Sequence, residues 1–163
     1  MTRLLPATLA LALLAAPAAL AQTHEAAVDY TLTMPALEKC NAAMVDVLKK
    51  SATDPKLQAE QNQEDDAPDG TLEETAAYME KKAPVFSGML RKNGCPPLEF
   101  LKVTMAWAEA SMAQVAATSG GDTSKLSPVT QKNLEFVRKN EARLNALQAE
   151  LAAAEEAASK ASQ

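Results

Sequence analysis

A single histidine, His24, stands in the whole chain of 163 residues, and it falls ahead of the first helix signal. Ser-His and Cys-His nucleophilic catalysis therefore lack a positioned base. A bundle-type haem site lacks its axial ligand for the same reason, and no Cys-x-x-Cys-His attachment motif occurs. Cysteine is nearly as scarce. Cys40 and Cys95 are the full complement, and they do not form the Cys-x-x-Cys spacing of a redox-active dithiol. Aromatic residues make up only 4% of the chain, which allows a modest core. Strand-period alternation and internal repeats are both missing. From Gln22 onward no apolar run is long enough to span a bilayer.

The charge balance is acidic, with a net charge of −5. That disfavours nucleic acid and anionic membrane surfaces as partners, because both are polyanions. What is abundant is alanine, leucine, glutamate and lysine, the composition of a helical protein.

The opening segment "MTRLLPATLALALLAAPAALAQ" has the three parts of a secretory signal peptide. Arg3 and the amino terminus supply positive charge, Leu4 to Leu14 is apolar, and Ala19-Leu20-Ala21 places small residues before a cut. Cleavage is predicted after Ala21. Pro6 and Pro17 interrupt the apolar run, so it is too short for a membrane anchor. No cysteine follows the cut to carry lipid. The expected product is periplasmic or secreted, with an N-terminal extension over 22–33, a helical domain over 34–154 and a flexible tail over 155–163.

Prolines mark the expected helix starts, since a proline in the first turn sacrifices no intrahelical bond. Thr33 precedes a first helix with Pro35 in its first turn, an inward stripe of Leu37, Cys40, Met44, Val47 and Leu48, and Lys49 and Lys50 at its end. Asp54-Pro55 opens a short helix. Thr71-Leu72-Glu73-Glu74 fits a capping box. Ala83-Pro84 breaks that helix, and "PVFSGMLRK" follows with Val85, Phe86, Met89 and Leu90 inward. Asn93-Gly94 ends it. The segment 97–118 is the most apolar. Leu98, Leu101, Met105, Ala108, Met112 and Val115 form one stripe, and Phe100, Val103 and Trp107 widen it, so this helix is expected at the centre of the bundle. Gly120-Gly121 stops it. Ser127-Pro128 starts a last helix, with Leu134, Val137, Leu144, Leu147 and Leu151 inward. Its outer face carries Lys132, Glu135, Arg138, Lys139, Glu141 and Arg143. The sum is an all-α, single-domain bundle of about five helices around a central apolar helix.

Three stretches carry a resemblance: Asp29, Tyr30, Leu32 and Thr33; Gly94, Pro97 and Glu99; and Asn133, Phe136 and Val137. In these the chain resembles a family of small, uncharacterised exported helical proteins of Gram-negative bacteria. The family pattern has an early "DY-L-T", a Gly-Leu-Thr-Pro-Arg-Glu run before a long alanine- and methionine-rich helix, and a late "P-N-x-x-F-V". The resemblance implies an exported helical domain and transfers no catalytic residue. The chain departs from the pattern at Cys40, where the family has an aromatic, and at Cys95, where it has leucine. This implies an apolar contact between the first helix and the start of the long one that is covalent here.

Compartment and even count also favour a Cys40–Cys95 disulfide. A free buried pair and intermolecular pairing are the alternatives. The acidic loop 64–70 invites a calcium reading. An EF-hand starting at Asp65 would set Asp69 at position five and Gly70 at six, but Ala67 at three and Ala76 at twelve, so two ligands are missing. A solvated loop is expected, with weak ion binding by Glu64, Asp65, Asp66 and Asp69 as the alternative. Met34, Met44, Met79, Met89, Met105 and Met112 lack the histidines of a copper site and read as core filling. Glu99 and Glu109 are the carboxylate pair available for acid–base work, but they need not share a face. No catalytic residue, metal ligand or cofactor is expected. Phe86, Met105, Trp107 and Met112 are the candidate lining of an apolar ligand pocket. The expected function is that of an exported, non-enzymatic, partner-binding or envelope-associated domain. A small apolar-ligand carrier and a chaperone-like periplasmic stress protein are the alternatives.

Overall fold

Thr33, Asp54, Thr71 and Ser127 each leave the helical region of backbone space, and each turns its side-chain oxygen onto N–H groups of the first turn that follows. Those four caps, with prolines in the first turns, set most of the helix starts. The computed structural model describes residues 29–62 and 70–161. Among them are seven helices and no strand: α1 (Met34–Ser51), α2 (Pro55–Gln61), α3 (Leu72–Lys82), α4 (Pro84–Lys92), α5 (Pro97–Thr118), α6 (Pro128–Lys139) and α7 (Glu141–Ala161). The chain is an all-α, single-domain bundle. The expected signal peptide, His24 and most of the acidic loop, including Glu64, Asp65, Asp66, Ala67 and Asp69, lie outside the described residues. Ala76, which would be position twelve of an EF-hand, is buried in α3.

The capping box forms as expected: the Glu74 N–H donates to Thr71 Oγ1, and the Thr71 N–H donates to Glu74 Oε2 at 2.8 Å. The start of α4 is solved differently. Its N-cap, Ala83, has no side chain to offer. Glu60, at the end of α2, reaches across instead and accepts the Val85 and Phe86 N–H groups, both at 2.9 Å. A carboxylate at a helix N-terminus also meets the positive end of the helix dipole. Leu57 drives the same helix into a second small core with Val47 and Met89.

Gly94, at φ +73°, ends α4. Its N–H donates to the Arg91 carbonyl, and the Cys95 N–H donates back to Leu90, the paired bonds of a Schellman turn. Gly120, at φ +78°, ends α5 the same way. The first of these turns delivers Cys95 into the core, where it is disulfide-bonded to Cys40 with the Cα atoms 5.1 Å apart. Both residues are buried. The bond ties α1 to the corner where α4 turns into α5.

Seven helices replace the expected five or so for two reasons. The short α2 is a full element, anchored by Leu57 and Glu60. The expected last helix is two, broken at Asn140. There the backbone leaves the helical region (φ −112°, ψ 15°), and the side-chain Nδ2 donates to the Phe136 carbonyl, competing with the helix's own bonds. The tail expected from 155 is helical to Ala161: alanine, glutamate and lysine favour helix, Glu156 and Lys160 pair one turn apart, and Ala154 is buried.

The inward face of α5 is only partly the expected one. Val103, expected to widen the stripe, is buried, but the rest of the buried line is Ala106, Ala110 and Ala113. At 3.6 residues per turn, the stripe of Leu98, Leu101, Met105, Ala108, Met112 and Val115 lies roughly 150° further round the helix. Met112 and Val115 are 56% and 65% exposed. Small side chains on the buried line let neighbouring helices approach closely. The centre is shared: α5 packs on α6, α3, α1 and α4, while α1 packs on α7, α4, α5 and α2.

Candidate functional site

Two places in the molecule gather residues that the sequence singled out. The first is a tertiary node. Asn133 is 1% exposed on α6, and its carboxamide reads the backbone of the segment before α1. Its Oδ1 accepts the Leu32 N–H and its Nδ2 donates to the Tyr30 carbonyl, both at 2.9 Å. Leu32 is buried between these bonds. Tyr30 Oη donates to Glu99 Oε1 on the first turn of α5. Burial first, then the hydrogen bond and the charge of Glu99, push the Tyr30 phenol up to about 12. Residues 29–33 are therefore held by α5 and α6 together. Among the described residues no buried side-chain nitrogen or oxygen is left without a partner.

The second place is a groove. α1 packs along α7 and also touches α5, while α5 and α7 do not pack along one another. The space between them is an open-sided cavity of about 170 Å³. Leu37 and Met44 come from α1, Phe100 and Trp107 from α5, and Leu147 and Leu151 from α7. Cys40 contributes to the wall, so one end of the disulfide borders the groove. Asn41, Thr104 and Gln148 are its polar lining, and no charged side chain lines it.

Of the four residues expected to line a pocket, the structure brings Trp107 to this groove. Phe86 instead meets Phe100 edge-to-face, with ring centroids 6.0 Å apart, and links the two cores. Met105 and Met112 do not line the groove, because helical spacing turns them to the far side of α5. Leu37, Met44, Leu147 and Leu151 were legible as inward positions but not as a shared lining. Which helices splay apart is a tertiary fact with no local signal.

Glu99 and Glu109 are ten residues apart on α5, about 15 Å along its axis. Glu99 faces Tyr30 and Glu109 faces Thr130, so they do not form a pair. The methionines are dispersed: Met44 borders the groove, Met89 fills the second core and Met112 is exposed. Among the described residues no three His, Cys, Asp or Glu side chains converge as a metal site. No helix among them is long and apolar enough to cross a membrane.

Fold and groove together define a disulfide-tied helical bundle with an apolar recess between three helices. No protein-family model, curated protein or solved structure matches the chain.

Proposed function

We propose that the chain is an exported, non-enzymatic helical binding domain that holds a small apolar molecule between α1, α5 and α7. The carrying observation is the groove itself: about 170 Å³, walled by leucine, methionine, phenylalanine and tryptophan, with three neutral polar groups. Apolar walls with a few placed polar groups are the usual make-up of a small-molecule site. The signal-peptide pattern supports export, and a disulfide suits an oxidising compartment.

Membership of the family of small exported helical proteins belongs to the same proposal. Its support is that Tyr30, Leu32, Glu99 and Asn133, from all three stretches that carry the resemblance, meet in one contact. A second reading, a protein partner, is favoured by Met112 and Val115, which stay exposed at the C-terminal end of α5.

The test is a ligand panel of lipids, haem and small metabolites. It is read by the emission of Trp107, the chain's single tryptophan, and by melting temperature. A saturable change in both supports the groove, whereas a flat response across the panel removes it. For the second reading, a pull-down from periplasmic extract should retain a partner that Met112→Lys loses.

A further inference from the structure

We propose that the groove selects uncharged molecules: a ring-sized apolar body bearing a single hydrogen-bonding group, with the ring against Trp107 and Phe100 and the polar group at the mouth beside Thr104 and Gln148. This rests on the binding reading above and narrows it to a ligand class.

Charge comes first. The polar lining is Asn41, Thr104 and Gln148, all neutral. Arg143, Glu38 and Glu150, on the helices that form two of its walls, are engaged with one another. Arg143 pairs with Glu38 at 2.8 Å and with Glu150 at 3.6 Å, and Asn41 Nδ2 donates to Glu150 at 3.4 Å. A carboxylate or ammonium seated beside Thr104 and Gln148 would lose part of its water against the apolar rim and find no counter-charge among the lining residues, which is costly. A neutral molecule loses little.

Size comes second. An apolar cavity of about 150 Å³ holds one benzene. At about 170 Å³ this groove suits one six-membered ring or a chain of similar bulk. A larger occupant would extend past the open side into water.

The position of the polar groups comes third. Thr104 and Gln148 are exposed, and among the described residues neither side chain has a hydrogen-bond partner. The deeper wall, with Val103, Leu144 and Leu147, offers no donor or acceptor. A ligand polar at one end is therefore accommodated, and one polar at both ends is not.

The experiment uses non-fluorescent six-membered rings on the purified protein at pH 7: cyclohexanol, cyclohexanecarboxylate and cyclohexylammonium. Cyclohexanol should shift Trp107 emission saturably and raise the melting temperature. The two ions should bind at least about tenfold more weakly, given the cost of burying an unpaired charge. Thr104→Val keeps the shape and removes the hydroxyl, so it should weaken cyclohexanol about threefold, in line with one neutral hydrogen bond. Thr104→Phe, at an exposed position, should fill the mouth and abolish the response. An ion binding within about threefold of the alcohol overturns the uncharged class and leaves the binding reading standing. A response that survives Thr104→Phe places binding elsewhere and overturns the proposal. If no ring compound binds at all, the binding reading falls and this inference with it.

Discussion

The Asn133 carboxamide accepts the backbone N–H of Leu32 across 101 residues of chain, and at the same time donates to the Tyr30 carbonyl. A side chain thus plays the part of a neighbouring strand for one short extended segment. Asn133→Ala should leave a buried donor and acceptor unpaired and cost about 2–4 kcal/mol, measured by denaturant unfolding. Asn133→Asp is the sharper variant. Its carboxylate can still accept from Leu32 but must face the Tyr30 carbonyl without a proton. Burial and that repulsion should raise its pKa in the folded state above the unfolded value of about 4. The stability it supplies is then present at low pH and lost as pH rises, so this variant should gain stability as pH falls from 7 toward 4, relative to the alanine variant.

Tyr30 makes a prediction at the other end of the scale. Its folded pKa, raised to about 12, lies above its unfolded value near 10. The folded form holds its proton longer, so this contribution is complete below about pH 10 and is lost as pH rises toward 12. Tyr30→Phe should flatten that part of the stability–pH curve, and Glu99→Gln should narrow it. Urea unfolding at stepped alkaline pH checks both.

The disulfide closes a loop of 55 residues. On the chain-entropy account its loss should cost about 4 kcal/mol, or about 10–20 °C in melting temperature for a domain of this size. Cys40→Ala/Cys95→Ala is the cleaner comparison. Neither sulfur should react with an alkylating agent in the unreduced protein, native or unfolded, because both are held in the disulfide and carry no thiol.

Two helix starts give matched tests of local and distant capping. Thr71→Ala removes a cap that lies within its own turn and should cost about 1 kcal/mol. Glu60→Ala removes a cap supplied by another helix. It should cost about 1–2 kcal/mol and loosen α2 from α4, seen as faster amide exchange at Val85 and Phe86. Glu60→Gln keeps one acceptor and should fall between the two.

That contrast shows what was legible. Thr33, Asp54, Thr71 and Ser127 announced their helices because a cap and its targets lie within four residues. Glu60 could not be read, since its targets are 25 and 26 positions away. Asn140 carried no breaker signal, yet it divides one expected helix into two. On α5 the expectation failed at the C-terminal end, where close packing buried Ala110 and Ala113 and left Met112 and Val115 in water. Trp107 was the part of the groove that sequence reasoning reached. The rest depends on α5 and α7 standing apart, which only the assembled bundle decides.

Cys40 has two memberships: it is one end of the covalent tie and part of the groove wall. Oxidation and occupancy therefore act on the same patch of α1. Linkage is reciprocal, so if the bond raises an occupant's affinity by some factor, the occupant must favour the oxidised over the reduced chain by that same factor. A saturated groove would then make the sulfurs harder to reduce, and a thiol titration with and without occupant would read the coupling from either direction.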